Sequence, residues 1–532
     1  MTPTELRESI FRHLDGIVIV PIASILKEKG ITSYLLEVHK TNLKELTDKF
    51  NANEGYLNVA IRALASQGFL EYEVVNQKNE ISIAINDKSE IAFSQFYLYD
   101  DVVKTLSLTD AFTANVINSH SISILNPLFE KYKNRFGLQP DTTTVLGQIQ
   151  HQILKHIEGI LVSPLIVNLG MTGMFHKYFM ETSFSADEFH KEPEAFTVML
   201  DFFTNLGWFT EKKGKYQFTE AGLFFAKRAS AYGVTVSYLP MLKNIETLLF
   251  GNPNKLRDIA VNETEIHVNR EMNVWGSGGA HSTYFKVIDE IIIELFNRPI
   301  AEQPKGILDM GCGNGAFLQH IFNVIERQTL RGKMLEEYPL FLVGADYNQV
   351  ALKVTRANLI KADIWAKVIW GDIGNPDLLA EDLQENYGID LKDLLNVRTF
   401  LDHNRIWTEP KSMHNITSNS TGAFAYRGEL LSNNAVEANL FEHLEKWSKY
   451  VHKFGLLLIE LHTVNSKIVA QNIGKTPATA YDVTHGLSDQ YIVEIEEFVK
   501  VAEKAGLVSD SRFFQRFPNT DYATVSIHLL KG

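Results

Sequence analysis

The chain has one cysteine, Cys312, among 532 residues. No intrachain disulfide can form, so the fold must hold by packing alone, and a reducing, cytoplasmic setting is the expectation. Long apolar runs are missing too. No stretch of about 18 consecutive apolar residues occurs, so no segment is expected to span a membrane. Met1 to Ile10 lacks the apolar core of a secretion signal. Basic residues are outnumbered, 51 Lys and Arg against 64 Asp and Glu, which leaves no general charge excess for binding phosphate. Low-complexity linkers are absent, and the charged stretch at 257–269 is the best domain seam. Asn262-Glu-Thr264 within it matches a glycosylation pattern that a cytoplasmic chain would not use. Hydrophobic content of 45% with 22% charged residues is that of a large globular protein, and the length suggests about three domains.

The most informative stretch is Gly306-Ile-Leu-Asp-Met-Gly-Cys-Gly-Asn-Gly-Ala-Phe317. It reads as a short apolar strand ending near Asp309, then glycines at 311, 313 and 315 opening a helix. Such glycines let the backbone turn tightly and approach a ligand closely at a helix N-terminus. Phe341-Leu-Val-Gly-Ala-Asp346 is a second apolar strand ending in an acid, followed by Tyr347, where a ribose diol would need an acceptor. A polar insertion, Arg327 to Tyr338, lengthens the path between them. A third strand ends Gly371-Asp372-Ile373. Leu391 to Phe400 and Phe454 to Leu461 read as further buried strands, and Ser511 to Phe517 with Thr524 to Leu530 as a closing antiparallel pair. The G-x-G-x-G pattern behind Asp309 resembles the first motif of class I S-adenosylmethionine (SAM) methyltransferases. That resemblance implies an α/β, Rossmann-like C-terminal domain binding SAM through Asp309, Gly311, Cys312, Gly313, Gly315, Asp346, Tyr347, Asp372 and Ile373. Cys312 itself is expected to be a small residue tolerated in the loop.

The first 240 residues repeat. Ile10-Phe-Arg-His-Leu-Asp-Gly-Ile-Val-Ile-Val-Pro21 matches Ile153-Leu-Lys-His-Ile-Glu-Gly-Ile-Leu-Val-Ser-Pro164 position by position. Each copy runs on through helices to Ala65-Ser-Gln-Gly-Phe-Leu-Glu71 or Thr204-Asn-Leu-Gly-Trp-Phe-Thr210, then a strand-like segment. This is the outline of a duplicated, helical, winged-helix-like region. The expected domains are 1–100 and 101–240 for the two copies, 241–300 for a helical connector, and 301–532 for the SAM-binding fold. The would-be recognition helices, Glu54 to Ser66 and Glu192 to Asn205, carry only Arg62 as a basic residue, so DNA binding is not expected. The arrangement resembles natural-product methyltransferases whose N-terminal winged helix dimerises and walls the substrate pocket, which implies a homodimer as one assembly. Phe93 to Tyr99 reads as core, and His281 and Tyr284 precede an amphipathic helix at Phe285 to Phe296 that could line the pocket.

Catalytic groups should stand on the strand ends beside the glycine loop. Where many O-methyltransferases place a His-Asp pair, this chain has Arg398-Thr-Phe-Leu-Asp-His-Asn-Arg405, with the histidine moved downstream. The next strand ends Ile459-Glu-Leu-His462, and Tyr481 to Glu494 holds His485 and Gln490. The 398–405 segment, Trp275-Gly-Ser-Gly-Gly-Ala-His281, Thr329-Leu-Arg-Gly332, Glu337-Tyr-Pro-Leu340 and His485-Gly-Leu-Ser-Asp-Gln490 look like signatures of the metal-dependent C-methyltransferases of apratoxin-type polyketide loading modules. The resemblance covers roughly 240–532. It implies a mononuclear iron beside SAM and a malonyl-type thioester on an acyl carrier protein, which here would be a separate protein. A metal chelating the thioester would stabilise its enolate. Imidazoles with an amide or carboxylate suit Fe or Mn, so the candidate ligands are His403, His462 and Gln490, with Asp402 and His485 in reserve. The catalytic candidates are His403, His462 and Arg398. Two readings stand beside this one: O-methylation of a small molecule with one histidine as general base, and a SAM-sensing winged-helix protein without catalysis.

Overall fold

The computed structural model describes residues 2–75, 80–180, 183–257 and 265–532, without the side chains of 280–283. Asn262-Glu-Thr264 and most of the expected seam lie outside the described residues, as does the side chain of His281. The chain forms two compact units. One holds Met1–Gly279, Ala423–Leu430 and Asn465–Ser488, and the other Ala280–Gly422, Leu431–Val464 and Asp489–Gly532. Two segments within the 301–532 stretch thus belong to the N-terminal unit.

The C-terminal unit is built on an eight-stranded sheet. Its strands are β1 (Gly306–Met310), β2 (Phe341–Asp346), β3 (Lys367–Trp370), β4 (Leu394–Thr399), β5 (Leu456–Leu461), β6 (Val508–Ser509), β7 (Gln515–Phe517) and β8 (Val525–Lys531). The order is β6-β8-β5-β4-β1-β2-β3, with β7 also paired to β8. Strands β3, β2, β1, β4 and β5 run parallel, and β8 closes the sheet antiparallel to β5. Every residue of β1 and β5 is buried, as expected of parallel strands covered on both faces. Register puts Asp309 beside Val397, Met310 beside Arg398, and Arg398 beside Leu458. The carboxyl ends of the five parallel strands therefore share one rim. This is the Rossmann-like α/β fold that the glycine loop implied. The helix expected at Phe285–Phe296 is longer, Arg270–Phe296.

The N-terminal unit carries the repeat. Each copy begins with a long helix, Pro3–Glu28 or Val145–Met171, and reaches an antiparallel wing, Glu71–Val75 with Glu80–Ala84 or Phe209–Lys212 with Lys215–Phe218. A third strand, Lys40–Asn42, extends the first wing. The two long helices have an 18-residue window apolar enough to cross a membrane, but 83% and 89% of those windows lie buried inside the protein. They are core helices, apolar because both sides of each are covered.

The first would-be recognition helix, Glu54–Ser66, has every residue from Gly55 to Ser66 buried. Arg62 is 2% exposed and pairs with Asp482, in a segment that folds back into this unit. A helix so enclosed has no face to lay in a groove, and its one cation already has a counter-charge. Phe93, Phe96 and Tyr99 pack as tilted rings in the same core, Phe93 to Phe96 at 5.4 Å. Removing Arg62 would leave Asp482 nearly buried and stripped of its counter-charge. Arg62→Ala should therefore cost about 3–5 kcal/mol in chemical denaturation. A loss below about 1 kcal/mol, the size typical of surface pairs, would show the pair to be incidental.

Candidate active site

The glycine loop folds because its backbone groups find partners on β2. Gly311 and Cys312 both donate to Ala345 O, at 2.8 and 3.0 Å, and Thr355 Oγ1 donates to Gly313 O at 2.8 Å. Gly311, Gly313 and Gly315 have φ of +79°, +55° and +78°, conformations that a side chain resists. A Cβ on Gly311 would meet Leu401 Cδ2 at 2.8 Å, whereas one on Gly313 would meet nothing nearer than 4.0 Å. Gly313 therefore borders open space, the room a ligand needs.

Two carboxylates face this loop. Asp346 Oδ2 accepts from Gly313 N at 3.0 Å and Oδ1 from Asn348 N at 2.8 Å, which fixes the acid at the end of β2. Asp309 is 1% exposed, and neither carboxylate oxygen has a full hydrogen bond among the described residues, with only the Leu318 N–H directed at it. Burial, reinforced by the Asp346 charge, pushes Asp309 up to about 8. An orphaned buried acid beside an open glycine turn suits a ligand that brings donors and positive charge, as the amino-acid end of SAM does. Tyr347, 58% exposed, lies 5.6 Å from the Trp370 ring, and Asp372 Oδ1 accepts from Gly374 N. Ile373 is buried and its carbonyl accepts from Trp447 Nε1 at 2.8 Å. Trp370, unmarked in the sequence reading, adds a second exposed aromatic at the expected adenine end. The residues present fit SAM. Cys312 is enclosed, its thiol pushed up to about 12 by burial and by Asp309, which suits a packing residue and no nucleophile.

On the neighbouring rim, β4 ends at Thr399, and Phe400 takes a left-handed φ of 53°. The chain then turns into Asp402–Asn404 over the end of β5. Glu460, 1% exposed, organises this turn. Its Oε2 accepts from the backbone N–H of Asp402 at 2.9 Å and of His403 at 3.3 Å, and its Oε1 meets His403 Nδ1 at 2.5 Å. The acceptor at Nδ1 places the ring proton there, so Nε2 carries the basic lone pair. Asp402 Oδ1 accepts from Arg398 Nη1 at 2.6 Å and from His443 Nε2 at 2.8 Å. Burial alone would raise Asp402, but Arg398 and His443 outweigh it and hold the acid well below its ordinary range. Arg398 is fully buried, its guanidinium 4.0 Å above the Trp447 ring. Arg398 thus acts beneath the site as a partner of Asp402. Arg405 closes the turn by donating to Asp402 O at 3.0 Å and Asn439 Oδ1 at 2.6 Å.

His462 does not join this group. Its Nδ1 donates to Val493 O at 3.0 Å and its Nε2 meets Ser526 Oγ at 2.6 Å. Ser526 in turn bonds His528 Nε2 at 2.7 Å, and His528 Nδ1 bonds Ser509 Oγ at 3.0 Å. Both imidazoles are buried and held down to about 3, by desolvation first. His462 is a neutral member of a closed core chain, with no nitrogen left for a metal or a proton. Gln490 lies next to Tyr491, whose N–H donates to His403 O at 2.8 Å. His485 Nδ1 donates to Tyr481 O at 2.7 Å, within the N-terminal unit. Among the described residues, no group of three or more His, Cys, Asp or Glu is arranged to hold a metal ion. The set His403, His462 and Gln490 does not fit a mononuclear centre, because burial and internal hydrogen bonds have withdrawn His462. Glu460 and His443 were missed. The signal for Glu460 was its place in Leu-Leu-Leu-Ile-Glu-Leu, where a buried acid must have a partner.

Asp346→Ala should weaken SAM binding by about 1.5–3 kcal/mol in calorimetry, the value of a charge-assisted contact, and Gly313→Val should abolish it by filling the open turn. Unchanged affinity in both would remove SAM from this loop. The buried Asp309 makes a separate expectation. Its folded pKa stands above its ordinary value of 3.8, so its ionisation costs nothing at pH 4 and increasingly more up to about pH 8. Ligand-free Asp309→Asn should therefore melt increasingly above the native chain as pH rises over that window, by about 2 °C or more at the top. A difference independent of pH would show that Asp309 is not held protonated.

Family models described as the AprA N-terminal domain, the AprA winged helix domain and the AprA MT2-like domain match residues 6–72, 158–252 and 265–528 in order. No curated protein matches the chain. Among solved structures, a putative O-methyltransferase from Nostoc punctiforme is 12% identical, covering 73% of this chain and all of its own, with a TM-score of 0.41. An O-methyltransferase family protein from Burkholderia thailandensis is 11% identical over 70% of this chain and 94% of its own, with a TM-score of 0.39. The CurJ carbon methyltransferase is 12% identical over 81% and 99%, with a TM-score of 0.31. The assignment rests on the three family models, which together match most of the chain, and on a glycine loop whose acids and open turn fit the cofactor. The chain is a class I SAM-dependent methyltransferase resembling the AprA type.

Proposed function

We propose that this methyltransferase alkylates the α-carbon of a malonyl-type acyl thioester presented by a separate acyl carrier protein, with His403 as the base. One observation carries the reading: on the rim of the parallel strands, His403 holds Nδ1 against the buried Glu460, the carboxylate partner that orients an imidazole for general-base work. The AprA-type family resemblance supports a carrier-bound acid as the substrate. SAM, when bound, supplies an activated methyl group on a sulfonium.

The residues of the chain divide the remaining work. Asp346 and the loop at Gly311–Gly315 hold the cofactor's ribose and amino-acid end. Tyr347, Trp370 and Ile373 offer surfaces for its base. His403 Nε2 would take the proton from the α-carbon and hold it on the imidazole, while SAM held by Asp346 and the glycine loop would supply the methyl group to that carbon. Glu460 stabilises the imidazolium so formed, and its backbone contacts at 402 and 403 keep the ring from swinging away.

O-methylation of a small molecule is the second reading, favoured by the same histidine, which can take a proton from oxygen as readily as from carbon. Product mass and the position of the label from methyl-labelled SAM separate the two. His403→Ala should lower kcat by about 10²–10⁴-fold while SAM affinity holds. His462→Ala should lower stability, with activity at permissive temperature retained. Chelator-treated protein should keep its methyl transfer to malonyl-carrier protein. Activity lost with the chelator and restored by iron or manganese would return the reaction to a metal, and labelled free acid with unlabelled carrier would favour the O-methyltransferase.

A further inference from the structure

The two sequence repeats meet face to face, and the meeting has the symmetry of a dimer. At the crossing of the two long helices, a Cβ on Gly16 would lie 2.2 Å from His156 O, and one on Gly159 would lie 2.3 Å from His13 O. These glycines are equivalent in the repeat, and so are the histidines whose backbone each one touches. His13 Nδ1 bonds Tyr232 Oη at 2.9 Å, and His156 Nδ1 bonds Tyr99 Oη at 2.7 Å. Each tyrosine belongs to the opposite copy, in the helical stretch after its wing. Both histidines therefore reach across with Nδ1 to a tyrosine.

The Nε2 side breaks the symmetry in a compensated way. His13 Nε2 bonds Glu158 Oε1 directly at 3.0 Å. The position equivalent to Glu158 is Asp15, one carbon shorter. There His156 Nε2 bonds Gln67 Oε1 at 3.0 Å, and Gln67 Nε2 bonds Asp15 Oδ2 at 3.2 Å. Gln67 fills the missing reach, and its equivalent in the second copy is the apolar Leu206. Glutamate with leucine in one half answers aspartate with glutamine in the other. All of these polar side chains, Tyr99 and Tyr232 included, are buried and bonded across the repeat, none of them more than 7% exposed.

We infer that the N-terminal unit is a fused dimer, in which each copy is the other's partner and its specificity is set by the Glu158/Leu206 and Asp15/Gln67 pairs, so that the chain works as a monomer. Each long helix is too apolar to stand in water, and a lone copy would need a second one to cover it. Fusion supplies that partner at a fixed effective concentration. The face that a lone copy would offer to another chain is already occupied within this one.

A double-mutant cycle on the full chain tests the pairing. Gln67→Leu should lower the melting temperature by several degrees, because His156 Nε2 and Asp15 Oδ2 both lose the amide that joins them. Asp15→Glu added to it should recover part of that loss, since a glutamate can reach His156 directly as Glu158 reaches His13. A double variant no more stable than Gln67→Leu overturns the compensation. Sedimentation of the unaltered chain should give the monomer mass across a hundredfold range of concentration, and a dimer within that range overturns the inference.

Discussion

Glu460 is the constraint on which the catalytic rim depends. It is an ionisable side chain in the middle of an all-buried strand, where an unpaired acid would be costly. The structure meets that cost by bringing the turn after β4 over the end of β5, so that two backbone N–H groups and the His403 ring all serve one carboxylate. Once that turn is placed, Asp402 points inward, and an inward acid requires Arg398 and His443. Arg398 in turn is covered by Trp447, whose indole N–H bonds the carbonyl of Ile373. A single chain of buried polar obligations thus links the candidate base to the strand end expected at adenine. Removing any member would leave its neighbour charged and dry, a larger loss than the bond itself.

The cofactor half of the site follows a simpler logic. Its loop is held by backbone bonds to Ala345, and its function needs only small residues and two acids at short range. Both Asp309 oxygens lack a full hydrogen bond among the described residues, whereas Glu460 and Asp402 each have at least one oxygen bonded by the fold. That contrast separates a place prepared for a ligand from a place finished by the fold. The N-terminal unit shows the finished kind on a larger scale. Its histidines, glutamate and tyrosines are buried pairwise across the repeat, and its would-be recognition helix is enclosed to the last residue.

Local pattern was enough for the glycine loop, because G-x-G-x-G behind an apolar strand depends on backbone torsion and neighbours within a few residues. It was enough for the five parallel strands and the closing antiparallel pair, whose apolar runs are buried on both faces. The repeat, too, was plain from matched positions along the chain. Local pattern misjudged His462, which has the spacing of a rim ligand but whose nitrogens are spent on Val493 and Ser526, one of them 64 residues away along the chain. It also passed over Glu460 and His443, since nothing near them in sequence names the backbone groups or the acid that they serve.

By itself the sequence determined the class of fold, the cofactor loop with Asp309 and Asp346, and the duplication of the N-terminal region. These rest on torsion, periodicity and composition, which are properties of neighbouring residues. Only the tertiary structure decided which histidine pairs with a buried acid on the rim, which is core, and that the two copies face each other through His13 and His156. Those are questions of which polar atom finds which partner, and burial makes each answer depend on residues far apart in the chain.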